Sequence, residues 1–319
     1  MCSPKTAWLW ETGKILTAGV HFTLVSPVIS WVKKENCMSI GTFRCEPGTY
    51  VPFGLEKYPD NPFKRLVEVE VEDSSKGRFR FDDSYPYLDN SFNYKWNRFL
   101  GFFVQWFAVA LINRFKYGVK VADRKNYRKY RKHFKKGAIA ICNHVFQFDA
   151  VAVFQAVRRF RKMWIPMYAK HFNGKDSWFI INCGGIPVPE TPAGMRKFDE
   201  AFDEYARRGD WFLIFPEAVR WDFYTPVRPF RKGAFTMAWK YDRPIVPCVI
   251  SWRPRRGLYK LFGPADIPCA TIHVGEPVFP DKSVRKQHDI IRMREEAHAI
   301  MEKMAGISEN PWKAIPEDE

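Results

Sequence analysis

The chain has 319 residues, 46% of them apolar and 17% aromatic, enough to bury one large core or two modest ones. Its 51 Lys and Arg against 35 Asp and Glu give a net charge of +16. That balance implies an anionic partner, for which nucleic acid, anionic lipid and a phosphorylated substrate all qualify.

The N-terminus lacks a basic stretch, a clean apolar core and a small-residue cleavage site, so no secretory signal is expected. Seven cysteines, at positions 2, 37, 45, 142, 183, 248 and 269, form no CxxC pair. An odd count without a framework points to reduced, mostly buried thiols in a cytosolic setting. Ile15–Val32 is apolar but broken by His21, Ser26, Pro27 and Ser30, short of the eighteen or so uninterrupted apolar residues of a spanning helix.

Residues 1–94 read as a separate N-terminal region of unassigned role. Cys45–Gly54 is turn-rich, and Leu66–Glu72 alternates as a half-exposed strand does. Residues 1–90 carry 11 basic and 12 acidic side chains, so the remainder carries 40 against 23. Residues 95–136 combine an apolar helix with a basic segment. Phe99–Ile112 is 14 residues long with only Gln105 polar, and Arg114–Lys136 holds 11 Lys or Arg against the single acid Asp123. An aromatic helix (Trp96, Phe102, Phe103, Trp106, Phe107) beside such a run reads as lying in a membrane surface rich in anionic lipid. The competing reading is a buried core helix followed by a solvated basic face.

From Gly137 to residue 319, strand and helix patterns alternate. Strands are expected at Gly137–Asn143, Met163–Tyr168, Ile186–Val188, Trp211–Phe215, Ile245–Ser251 and Ala270–Val274. Helices are expected at Ala150–Val157, Gly194–Arg208, Gly233–Tyr241 and Ser283–Ala305. The alternation predicts an α/β domain with a largely parallel central sheet flanked by helices, plus the additional N-terminal region.

His144 stands where the strand ending at Asn143 gives way to a helix, with Asp149 five residues on. A histidine paired with a carboxylate suits removal of a proton from a hydroxyl. The bland alternative is that Asp149 caps the helix and His144 ends the strand. His171 and Asp176 share the spacing but flank Asn173-Gly174-Lys175, a turn signal, and are set aside. Phe215-Pro-Glu-Ala-Val-Arg220 follows an apolar strand and places Glu217 and Arg220 where a phosphate-bearing acceptor could bind; a surface ion pair is the alternative there. Gly184-Gly185 fits an ordinary turn, and Arg228, Arg231 and Lys232 fit a solvated basic face.

Four blocks in order resemble the glycerolipid acyltransferases, especially the 1-acyl-glycerol-3-phosphate acyltransferases: Asn143-His144-x4-Asp149, Gly184-Gly-Ile-Pro-Val188, Phe215–Arg220 and Ile245-Val-Pro-Cys-Val249. Arg228-Pro-Phe-Arg-Lys-Gly233 is similar to a basic stretch of the same family. The likeness covers about residues 115–280. It implies a fatty acyl donor on CoA or acyl carrier protein, a lysophosphatidic acid acceptor and phosphatidic acid as product. It makes His144 the general base and Asp149 the residue that fixes its tautomer. It assigns the glycerol phosphate to Glu217 and Arg220, with Gly185 in the second block. It requires neither a metal, a bound cofactor nor a covalent acyl-enzyme, because a thioester is already activated. With the aromatic helix and its basic run, the expected location is peripheral or monotopic on the cytoplasmic face of a membrane; no nucleic-acid motif is recognised and no such partner is expected.

Two departures stand out. Glu190 occupies the position where the second block usually ends in arginine, so a cation is missing from the expected phosphate site; Arg196, or Arg228, Arg231 and Lys232, are the candidate substitutes. Ala218-Val219 replaces the usual Gly-Thr, which is expected to reshape the loop without abolishing the reaction. Glu190 motivates another lysophospholipid or an amine as alternative acceptor. A non-catalytic protein binding nucleic acid or anionic membrane is the alternative from a different class.

Overall fold

A computed structural model describes residues 15–17, 20–22, 58–65, 79–157, 162–174, 176–262 and 267–316. The segments Cys45–Gly54 and Leu66–Glu72 lie outside them. The chain divides into two units, Met1–Gly41 and Thr42–Glu319. In the first, strands β1 (Ile15–Thr17) and β2 (Val20–Phe22) pair antiparallel within the apolar stretch noted above.

The second unit is built on a seven-stranded sheet of order β3-β9-β8-β4-β7-β5-β6. Its strands are β3 (Lys120–Val121), β4 (Ile139–Cys142), β5 (Met163–Tyr168), β6 (Gly185–Val188), β7 (Trp211–Ile214), β8 (Ile245–Arg253) and β9 (Cys269–Val274). From β6 across to β8 every neighbouring pair is parallel; β9 then runs antiparallel to β8, and β3 parallel to β9. The sheet is thus largely parallel, as the alternating pattern predicts.

Both faces are covered, which explains why the central strands read as unbroken apolar runs. In β4, Ala140 and Cys142 face one core and Ile139 and Ile141 the other. The first face packs against helix α4 (Asp149–Val157) through Ala152, Val153 and Ala156. The second packs against α6 (Pro192–Arg207), α7 (Gly233–Tyr241) and α8 (Lys286–Ala305), through Phe202, Tyr205, Phe235, Ile290, Met293 and Met301. Helix α6 starts two residues before the expected Gly194: Thr191 Oγ1 accepts from Gly194 N–H at 3.1 Å and Pro192 occupies the first turn.

The apolar segment before the sheet is one helical rod. It comprises α1 (Phe92–Phe103), a π-helical stretch (Val104–Val109) and α2 (Ala110–Phe115). Ser91 caps it, accepting from Tyr94 N–H at 3.2 Å, so the rod begins before the boundary drawn at residues 94 and 95. Helix α1 lies close on α5 (Ser177–Asn182): a Cβ at Gly101 would stand 2.8 Å from Asn182 O. Gln105, Val109 and Asn113 also face inward. The opposite face exposes Phe92, Trp96, Phe99, Phe103, Phe107, Leu111 and Phe115, spaced three or four residues apart. The buried-core alternative therefore describes only one face of this rod. The basic run also belongs in part to the sheet. Lys120 and Val121 pair with Thr271 and Ile272, and α3 (Arg124–Lys129) follows directly. A two-residue strand carries no period of its own, which is why the sequence assigns it to the membrane segment. Asp123, in the left-handed region at φ 54°, pins this edge by accepting from His273 Nδ1 at 2.9 Å.

Candidate active site

Strand β4 ends in a clamp. Asn143, fully buried, donates from Nδ2 to Ile250 O at 3.0 Å and accepts from Ile250 N–H at 2.8 Å, prolonging the β4–β8 pairing by a side chain. The next residue, His144, emerges at the C-terminal edge of the sheet, where open α/β folds place their chemistry. Its Nδ1 lies 2.6 Å from Asp149 Oδ2. The other oxygen of Asp149 accepts from Ala150 N–H at 2.7 Å, so the carboxylate opens α4 and orients the imidazole together. The ring stacks on Phe215 at 4.3 Å between centroids. The His144 side chain is 24% exposed and Asp149 only 3%. With Nδ1–H given to the carboxylate, Nε2 is left as the proton acceptor.

The loop after β7 holds this histidine by its backbone. Trp221 N–H donates to His144 O at 2.9 Å and Phe223 N–H to Val145 O at 2.8 Å. Glu217 and Arg228, expected at the surface as phosphate ligands, are instead turned into the protein. Both side chains are 0% exposed and pair with each other, Arg228 Nη2 to Glu217 Oε2 at 2.8 Å. Glu217 also accepts from His144 N–H at 3.0 Å and Arg228 N–H at 2.9 Å. Arg228 donates further to Pro62 O at 2.7 Å and to Val219 O, and lies over the Trp221 ring at 4.3 Å. The pair has no solvent-facing surface on which to take a phosphate; it acts as a buried bolt that fixes the histidine to its loop. Charge pattern alone does not distinguish such a bolt from a ligand.

Two non-glycine residues of this loop take positive φ, Ala218 at 63° and Phe223 at 64°. Ala218 thus keeps a conformation that favours glycine, at a cost of about 1 kcal/mol. Strain of this kind persists where surrounding bonds over-determine the backbone, as the Trp221 and Phe223 amides do here.

Of the other anticipated residues, Arg220 is half-exposed and pairs through Nε with Asp222 Oδ1 at 3.0 Å. Burial raises the Asp222 carboxyl above its ordinary range, opposed by Arg220 and His144, so all three share one local field. Arg231 and Lys232 are exposed before α7, with the Arg231 guanidinium 3.8 Å over the Phe63 ring. Gly185 is required by packing: a Cβ there would stand 2.7 Å from Ile180 Cγ2 and 3.2 Å from Phe172 Cζ. Arg196 is exposed on α6, which follows edge strand β6. It is three strand positions from β4, roughly 14 Å at the usual spacing.

The structure instead gathers cations that the motifs do not mark. Tyr168 ends β5, at the edge where His144 emerges. Lys170 Nζ lies 5.0 Å from the Tyr168 ring centroid and the Arg65 guanidinium 4.8 Å from it. His171 follows in the 3₁₀ turn Ala169–Asn173. The residue is exposed, and partial desolvation of its ring, followed by the charges of Arg65, Lys170, Arg220 and His144, pushes its pKa down to about 4. His171 is thus neutral near pH 7, and it senses the same charges that surround the dyad. No grouping of His, Cys, Asp and Glu among the described residues suits a metal ion.

Residues 118–251 match the family model described as Acyltransferase. No curated protein matches the chain. Solved structures do, among them the crystal structure of the 1-acyl-sn-glycerophosphate (LPA) acyltransferase PlsC from Thermotoga maritima. That likeness has 18% identity and a TM-score of 0.45, over 68% of this chain and 84% of that one, too distant to carry function.

Proposed function

We propose, on the match of residues 118–251 to the Acyltransferase family model, that the protein moves a fatty acyl group from acyl-CoA or acyl carrier protein to the free hydroxyl of lysophosphatidic acid, giving phosphatidic acid. The observation that carries this reading is the 2.6 Å contact between His144 Nδ1 and Asp149 Oδ2, which leaves Nε2 as the proton acceptor of a partly exposed ring. Nε2 takes the proton of the acceptor hydroxyl as its oxygen attacks the thioester carbonyl carbon. The tetrahedral intermediate collapses, the C–S bond breaks, and His144 hands its proton to the departing thiolate, which leaves as the thiol and restores the neutral imidazole. Asp149 stabilises the imidazolium between the two steps. The acceptor's phosphate is attracted by Arg220, Lys170 and Arg65, with Arg231 and Lys232 further out.

The exposed face of the α1–α2 rod supports attachment to a membrane surface, in this proposal the cytoplasmic one. Phe92, Phe107 and Leu111 are 82%, 61% and 55% exposed. Phe115 touches Phe262 at 5.3 Å between centroids, joining the stripe to exposed Leu258 and Leu261. No described helix is long and apolar enough to cross a membrane, whereas an amphipathic rod beside basic residues suits lying in an anionic surface.

The test is product analysis: purified protein in mild detergent with labelled acyl-CoA or acyl carrier protein and lysophosphatidic acid. Labelled phosphatidic acid supports the reading. Acylation of a different lysophospholipid or an amine in its place would redirect the acceptor, as Glu190 first suggested. Salt-sensitive binding to nucleic acid or vesicles without any acyl transfer would replace it with the non-catalytic alternative.

A further inference from the structure

Residues 58–65 lie outside the acyltransferase-family segment, yet they are fastened to the active-site loop at five points. Tyr58 Oη donates to Asp222 O at 3.0 Å, and the Tyr58 ring stacks on Trp221 at 5.4 Å. Pro62 O accepts from Arg228 at 2.7 Å, Phe63 lies beneath Arg231, and Lys64 O accepts from Trp221 Nε1 at 2.8 Å. All these partners lie between Trp221 and Arg231, and Trp221 also bonds the carbonyl of His144. The strap therefore cannot drift independently of the catalytic histidine. Its last described residue, Arg65, is delivered over the Tyr168 ring, next to Lys170.

Among the described residues, neither Arg65 nor Lys170 pairs with a carboxylate. Two cations on one ring repel each other, and an anion placed between them turns that repulsion into attraction. Arg228 is locked away in its own ion pair and Arg196 stands at the far edge, so neither makes up for the cation missing at Glu190. We propose that Arg65, carried by this strap, is a specificity-determining residue that binds the phosphomonoester of the acceptor beside His144. The ligand class is a glycerol-phosphate headgroup; a planar guanidinium donates two parallel hydrogen bonds to such an oxyanion. His171 stands within the same cluster: desolvation first, and then the charges of Arg65, Lys170 and Arg220, lower its basicity, so its ring reports on an anion bound there.

The inference rests on the phosphorylated acceptor of the proposed function, and two readouts separate them. The first is calorimetric binding of sn-glycerol 3-phosphate, which needs no turnover, to the full chain and its Arg65→Gln and Arg65→Lys variants. The second is kcat and KM for lysophosphatidic acid. Arg65→Gln is expected to weaken headgroup binding and raise KM by roughly ten- to a hundredfold, the worth of a charge-assisted hydrogen bond, with kcat nearly unchanged. Arg65→Lys keeps the charge without the fork and falls between. The His171 ring resonances should shift on titration with sn-glycerol 3-phosphate in wild type and much less in Arg65→Gln. Equal headgroup affinity in all three proteins overturns the proposal even where acyl transfer is intact. So does a loss of kcat with KM unchanged, which would make Arg65 a packing residue. Arg65-dependent headgroup binding without acylation of lysophosphatidic acid upholds it and removes the acceptor reaction instead.

Discussion

Replacing Glu217 by alanine separates a structural bolt from a substrate ligand. The carboxylate is fully buried and accepts from the Arg228 guanidinium, the Arg228 amide and the His144 amide. Its removal strands a buried cation and two buried N–H groups. Breaking one side of a buried ion pair costs about 3–5 kcal/mol; part of the cost of the orphaned amides is already inside that figure, so we take about 4 kcal/mol. At about 2–4 °C per kcal/mol for a domain of this size, the melting temperature should fall by roughly 8–16 °C, and urea denaturation should show the same loss. Glu217→Gln keeps an acceptor for one amide but turns an NH₂ toward other donors, and should fall in between. Combining it with Arg228→Met removes the stranded charge and should recover part of the loss, a coupling that a double-mutant cycle reads directly. Activity should fall in Glu217→Ala through kcat, because His144 loses the anchor of its own amide. A Glu217→Ala protein that melts within about 2 °C of wild type while its KM for acceptor rises would refute this reasoning and restore Glu217 as a ligand.

Two further outcomes are expected. Asp149→Asn should cut kcat by about three to four orders of magnitude through loss of imidazolium stabilisation and of the correct tautomer. Circular dichroism and melting should barely change, because asparagine still caps α4. Phe103→Glu with Phe107→Glu removes two rings from the exposed stripe, each contributing about 1.5–3 kcal/mol when buried. Flotation with anionic vesicles should show at least a hundredfold weaker binding, while turnover of a short-chain, monomeric acceptor in detergent stays near wild type.

Much of the fold is written locally. Continuous apolar runs mark β4, β5, β7 and β8 because both sheet faces are covered, and the amphipathic pattern marks α6 from Gly194 on, missing only its first turn at Pro192. The His144–Asp149 pairing is legible because five residues suffice to turn from the end of β4 into the first residue of α4. What fails to show is whatever depends on tertiary partners. Glu217 and Arg228 look like surface charges until each is seen to be the other's counter-ion. Gly185 looks like a turn residue until Ile180 and Phe172 are seen against it. Arg65 and Lys170 are separated by more than a hundred residues and meet only on Tyr168, so no spacing reveals them. The π-helical stretch in the apolar rod leaves no trace in its apolar pattern, since the exposed rings keep their three- and four-residue steps through it.

The most direct test of the central claim is a single-turnover measurement of acyl transfer from acyl-CoA to lysophosphatidic acid with enzyme in excess, comparing wild type with His144→Ala at equal fold content. Loss of the chemical step by several orders of magnitude, with headgroup binding retained, is the result the dyad predicts. Transfer by His144→Ala at a rate near that of wild type would contradict it and send the search for the base elsewhere on the edge of the sheet.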